Sequence, residues 1–252
     1  MRRLFWLKAF GCWSLIVTAA ILGCATAGGG LANGGENDAT LTDSAEGDAE
    51  ADSPVEDASP RIDTAADPCA RDFFSSSSDD MSVLAGCTKI VGDFTVASSA
   101  LAKLTGLSGV REIEGDLNIW DNNALSDLEG LSNLTFVGRG LVVKNNAALK
   151  SIKLSKLTSV GGSLIIAYDK ALPNLDGLNQ LVSVGALYVY NNAALADLKG
   201  LENLSSVNGD LAIEDNLGLA SCLAEDLRTR LVGKGYSGSA LIRGNNESAT
   251  CK

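Results

Sequence analysis

LNIWDNNALSDLEGLSNLTFVG, residues 117–138, and LYVYNNAALADLKGLENLSSVN, residues 187–208, are two copies of one pattern. Each opens with Leu, places a second apolar residue two positions on and an Asn five positions on, then repeats Leu or Val every third residue. Taking Leu117, Leu141, Leu164, Leu187 and Leu211 as anchors, the separations are 24, 23, 23 and 24 residues. The second apolar position holds Ile119, Val143, Ile166, Val189 and Ile213, the alternation of a short strand with one buried face. A degenerate first copy starts at Phe94 and Val96, and a worn last one at Ala240, Ile242 and Asn245, which makes six or seven coils of about 23 residues.

A chain that turns once per 23 residues lays each strand on its equivalent in the next coil at about 4.8 Å. The spacing therefore predicts a mainly β repeat solenoid with the anchor leucines in an internal column. No coil can bury its apolar face without a neighbour, and each buried Leu or Ile contributes roughly 1.5–3 kcal/mol. The period of three in the return segment suits short extended or 3₁₀ pieces, since a regular helix mixes threes with fours. The column Asn122, Asn146, Asp169, Asn192 and Asn216 reads as a structural ladder that bonds backbone groups where the strand turns a corner. Gly115, Gly138, Gly140, Gly161, Gly162, Gly185 and Gly209 read as turns before the strands and not as phosphate loops.

The ends of the chain are different in kind. Residues 1–23 carry Arg2, Arg3 and Lys8 before an uncharged apolar run, as a secretory signal does, and end Ile21-Leu22-Gly23-Cys24. That ending resembles a bacterial lipobox, which implies acylation of Cys24 and a lipoprotein. It departs from the usual motif in holding Ile21 and Leu22 where Leu and a small residue are common. Ala25, in place of Asp, then implies the outer membrane or cell surface. Residues 24–68 hold eleven acids against Arg61 alone and show no apolar periodicity, which predicts a disordered acidic tether between an anchor and a domain at 69–252.

Composition narrows the function. The formal net charge of -11 disfavours nucleic acid and leaves the lipid anchor as the only expected membrane contact. The absence of histidine removes the usual general base, the usual activator of a nucleophile and the commonest zinc ligand. No metal, no cofactor and no catalytic residue is expected, and the chain reads as a non-enzyme.

Leu128-Glu129-Gly130-Leu131-Ser132-Asn133-Leu134, then Val137-Gly138, a Leu-x-Val strand and paired asparagines, resemble the receptor L-domain, a leucine-rich-repeat-like family. Residues 198–216 repeat the pattern, and the resemblance covers about 69–252. It implies a right-handed solenoid in a cell-surface setting, and no particular ligand. Two cysteines precede the repeats and two follow them. Capping of the two exposed ends predicts Cys69 with Cys87 and Cys222 with Cys251, although counting alone also allows two pairings between the ends. Leu223, Leu227 and Leu231, with Glu225 and Asp226 early, Arg228 and Arg230 late, and Gly233 as a stop, predict a short C-terminal helix.

Residues one and three places after each anchor face outward: Asn118 and Trp120, Val142 and Lys144, Ile165 and Ala167, Tyr188 and Tyr190, Ala212 and Glu214. Asn118, Trp120, Tyr188 and Tyr190 are the candidate partner-binding face, for a protein or a glycan. Two alternatives stand beside a binding or adhesion module: a polysaccharide-acting β-helical enzyme, which needs clustered carboxylates on one face, and a purely structural envelope protein.

Overall fold

The computed structural model describes residues 67–76 and 81–251. The signal segment, Cys24 and the tether up to residue 66 lie outside the described residues, as do Ser77 and Ser78.

The described chain is a parallel β-solenoid. Its strands are β1 (Phe73–Ser75), β2 (Lys89–Ile90), β3 (Phe94–Ala97), β4 (Glu112–Ile113), β5 (Leu117–Trp120), β6 (Phe136–Val137), β7 (Leu141–Lys144), β8 (Ser159–Ala167), β9 (Ser183–Tyr190), β10 (Ser206–Val207), β11 (Leu211–Glu214) and β12 (Ala240–Arg243). One ladder runs β1-β3-β5-β7-β8-β9-β11-β12, every pair parallel and in anchor-to-anchor register, Leu117 opposite Leu141 and Leu141 opposite Leu164. β1 extends this stack ahead of Phe94, with Phe73 opposite Phe94 and their rings stacked at 5.4 Å. A second parallel ladder joins β2, β4, β6, the first residues of β8 and β9, and β10.

In most coils the two ladders are separate strands with a bend between them. β8 and β9 instead run through both, with a register irregularity between Val160 and Ser163. Gly161, Gly162 and Gly185, expected before the strands, therefore lie inside them. Their role is close approach: a Cβ on Gly161 would collide with the Gly138 carbonyl, and one on Gly185 with the carbonyls of Gly161 and Gly162.

The anchors Phe94, Leu117, Leu141, Leu164, Leu187 and Leu211 are all fully buried, as are Leu125, Leu128, Leu131 and Leu134 of the return segment. That segment is not an α-helix. Its period of three is carried by turns and by 3₁₀ pieces at Glu129–Leu131 and Lys199–Leu201. The carboxylates of Asp127 and Asp197 start these pieces by accepting from the backbone N–H groups of Glu129 and Lys199 at 3.1 and 3.0 Å.

Both ends are stapled. Cys69 is bonded to Cys87 before the repeats and Cys222 to Cys251 after them. By loop entropy, closed segments of 18 and 29 residues contribute about 3–4 kcal/mol each. Helix α1 (Ser221–Gly233) packs at the C-terminal end, with contacts to β12. Its buried stripe is Ala224, Leu227 and Leu231, while Leu223, expected in the stripe, is only half-buried. Spacings of three and four carry the contact around the helix to the small Ala224, which lets α1 lie close.

Gly200 supplies a test of the coil-on-coil contact, because a Cβ there would overlap the Leu175 carbonyl of the preceding coil. Gly200→Ala is expected to destabilise the domain by about 1–3 kcal/mol in urea unfolding. Gly233→Ala, at a position with open space around it, should be neutral or stabilise by up to about 1 kcal/mol.

Candidate functional site

Each coil presents the same corner. After the long strand one residue takes the left-handed conformation and turns the chain: Ser98, Asp121, Asn145, Tyr168, Asn191 and Asp215, with φ between 51° and 59°, and finally Gly244. Asp and Asn tolerate this region and glycine prefers it. The next residue points inward, where Ser99, Asn122, Asn146, Asp169, Asn192, Asn216 and Asn245 form a continuous buried column.

The bonds within that column are regular. In each asparagine rung Oδ1 accepts from the backbone N–H of the preceding rung, as Asn146 does from Asn122 at 3.2 Å, Asn192 from Asp169 at 3.0 Å and Asn216 from Asn192 at 3.0 Å. Nδ2 donates to a strand carbonyl of the preceding coil: Asn122 to Val96, Asn146 to Ile119, Asn192 to Ile166, Asn216 to Val189 and Asn245 to Ile213. Ser99 closes one end, with its hydroxyl 2.6 Å from Asn122 Oδ1. The ladder thus extends the five expected rungs by Ser99 at the start and by Asn245, the asparagine of the worn last copy, at the end.

Outside the corner, the two outward columns differ from a uniform strip. In register, one column runs Thr95, Asn118, Val142, Ile165, Tyr188, Ala212, Leu241 and contains no charge. The other runs Ala97, Trp120, Lys144, Ala167, Tyr190, Glu214, Arg243. Ala97, Ala167 and Ala212, although on the outward side, are buried. Their methyl groups are shorter than the side chains stacked beside them, Trp120 next to Ala97 and Lys144 and Tyr190 on either side of Ala167.

The four candidate face residues fall into two groups. Trp120 is 40% exposed on β5, and Asn118 beside it donates to Thr95 Oγ1 at 3.3 Å. Tyr188 and Tyr190 lie on β9, half-buried, with β7 and β8 between them and Trp120, a separation of about 14 Å. Tyr168 was not anticipated. It stands 39% exposed at the corner of β8, meets Tyr190 edge-on at 5.5 Å between ring centroids, and lies beneath the Lys144 ammonium at 5.7 Å. Lys144 therefore bridges the Trp120 side and the tyrosine cluster. The sequence did carry a signal for Tyr168: its column is otherwise Ser, Asp, Asn and Gly, so a large aromatic there breaks the pattern.

Burial raises Tyr190 above the ordinary phenol range, with Tyr168 and Glu214 adding to it, and burial raises Tyr188, with Asp210 adding to it. Tyr188 donates to Asp210 Oδ2 at 3.4 Å. On these columns and the corner, carboxylates are scattered: Glu214 pairs with Arg243 at 2.6 Å, Asp121 accepts from Asn145 at 2.6 Å, and Asp215 stands four strands along the ladder from Asp121. Among the described residues no group of three or more Cys, Asp or Glu is placed to hold a metal ion, and no helix is long and apolar enough to cross a membrane.

The family model of the receptor L domain matches residues 86–167, which runs to the end of β8 and takes in Trp120 and Lys144. No curated protein and no solved structure matches the chain. A receptor L-domain match on a parallel β-solenoid fits a binding module, and two disulfides fit an exported protein.

The ladder can be separated from the surface by mutation. Asn192→Ala strands the Asp169 N–H and removes the amide donor of the Ile166 carbonyl, while Asn216 Oδ1 keeps the bond from the residue 192 backbone N–H. It should cost at least about 2 kcal/mol in chemical denaturation. Asn123→Ala, at an exposed position one residue from the same column, should change stability by less than about 0.5 kcal/mol.

Proposed function

We propose that this protein is a lipid-anchored cell-surface binding or adhesion module that presents the outward face of its long sheet to a protein or glycan partner and carries out no chemistry. Tyr168 is the observation that supports the reading best. Holding a bulky residue at φ 59° costs of order 1 kcal/mol or more, and at this corner the other coils hold the smaller Ser, Asp, Asn or Gly. The tyrosine so displayed joins Tyr190 and Lys144, between Trp120 on one side and Tyr188 on the other, in rigid aromatic groups of the kind that anchor interfaces. The uncharged column Val142-Ile165-Tyr188 supplies apolar area beside them.

Tyr168→Asn and Trp120→Ala test this reading, using glycan arrays and a surface-protein capture screen. Tyr168→Asn restores the residue type of its column, so the melting temperature should hold or rise while partner capture weakens. Trp120→Ala, on a partly exposed ring, should lower the melting temperature little and weaken capture as well. Unchanged capture in both variants, or a fall in stability of about 3–5 kcal/mol for Trp120→Ala, removes the binding face.

The anchor is a separate proposal, carried by the lipobox-like run before Cys24. Mass spectrometry of the mature protein is expected to show acyl chains on Cys24 as the new N-terminus. An unmodified Cys24 on a cleaved or full-length chain would remove the lipid anchor from the proposal.

A further inference from the structure

Asp169 is the one rung of the buried ladder that is not a serine or an amide, and its geometry is incomplete. Its Oδ1 does what an asparagine Oδ1 does, accepting from the Asn146 backbone N–H at 2.7 Å and from Asn146 Nδ2 at 3.1 Å. Its Oδ2 therefore occupies the place of Nδ2, the atom that in the five asparagine rungs donates to a strand carbonyl of the preceding coil. By the same offset the carbonyl facing Asp169 is Val143, and the second neighbour is Asn192 Oδ1, since Nδ2 of Asn122, Asn146 and Asn216 also reaches the next Oδ1. Both are acceptors. Among the described residues, Asp169 Oδ2 is the one buried side-chain N or O atom with no hydrogen-bond partner.

We propose that Asp169 is a neutral carboxylic acid in the folded domain, its Oδ2–H donating into the ladder where an amide donates elsewhere, so that one titratable proton holds this coil together. An ionised carboxylate here would place negative charge against two lone-pair-bearing oxygens in the core, with no cation among the ladder residues to offset it. The titratable groups around it all stand outside: Lys144 on β7, Tyr168 and Lys170 on either side of it in the chain, each exposed, and Tyr190, half-buried on β9. Burial accordingly pushes the Asp169 carboxyl up to about 7, against the opposing effect of the two bonds donated by Asn146.

The sign follows from linkage. A carboxyl raised in the folded state above its unfolded value of 3.8 keeps its proton in the fold while the unfolded chain has lost it. Its stabilisation is complete below about 4 and is lost as pH rises to about 7, where both states are ionised. Because Tyr168 immediately precedes Asp169, and Lys144 lies two residues before Asn146, the same proton also steadies the aromatic cluster. That consequence for partner capture rests on the binding face proposed above, whereas the proton-held rung does not.

The experiment compares thermal unfolding of the full chain and of Asp169→Asn between pH 4 and pH 8, with difference infrared spectra of both at pH 5.5. Relative to Asp169→Asn, the folding equilibrium of the native chain should fall by up to about tenfold per pH unit from about pH 4 to about pH 7. Asp169→Asn should be the more stable protein at pH 8, and a protonated-carboxyl C=O band present in the native chain should be absent from it. Ion pairs elsewhere contribute equally to both proteins, so the difference isolates Asp169. Parallel pH profiles, or a missing carboxyl band at pH 5.5, would overturn the proposal. Loss of partner capture in Trp120→Ala without these pH effects would overturn it while leaving the binding face standing, and the reverse outcome would do the opposite.

Discussion

Turning a strand out of a buried sheet leaves backbone N–H and C=O groups facing the core, and in this solenoid one inward side chain per coil answers them. The amide does two jobs at once. Its oxygen closes the corner of the coil before it, and its nitrogen ties down the strand of that same coil, so neighbours are linked through side chains as well as through the sheet. The rest of the fold depends on that link, because a coil of about 23 residues has no second face with which to satisfy itself. The anchor leucines supply apolar burial and oppose a one-residue slip, which would turn them outward. The ladder is what holds successive corners at one height.

The regular parts of this architecture were visible in the residues because they recur. Alternation at Leu117 and Ile119, the period of three from Leu125 to Val137 and the asparagine five places after each anchor each impose a spacing that a single sequence displays many times over. β1 was not visible, since Phe73 precedes Phe94 by 21 residues and its return segment, Met81, Leu84, Cys87 and Ile90, keeps the period of three with only one leucine. The continuous β8 and β9 were hidden for another reason: glycines that look like turns serve as close-packing points when the coils on both sides bring their backbones within reach. Which coil bends and which runs straight is decided by neighbours, not by the local string.

The surface was partly legible on the same principle. Alternation placed Asn118, Trp120, Tyr188 and Tyr190 on the outward side, and it also placed Ala167 and Ala212 there, where taller neighbours bury them. Periodicity assigns direction and says nothing of height. Tyr168 escaped because attention to the strand stops one residue short of the corner, where backbone conformation rather than side-chain alternation sets what is displayed. The helix at the end was found from its leucines, but its contact runs through Ala224, a residue whose value is its small size.

The row of left-handed corners has a consequence for how such a protein can change. Ser98, Asp121, Asn145, Tyr168, Asn191 and Asp215 share one backbone conformation and project at the strand spacing of about 4.8 Å, like pegs on a ruler. A substitution at any peg alters what is shown without moving the others, and a coil duplicated or deleted shifts the pattern by one whole mark. Diversity in such a row can therefore be explored one position at a time, with the asparagine column beneath keeping the scale.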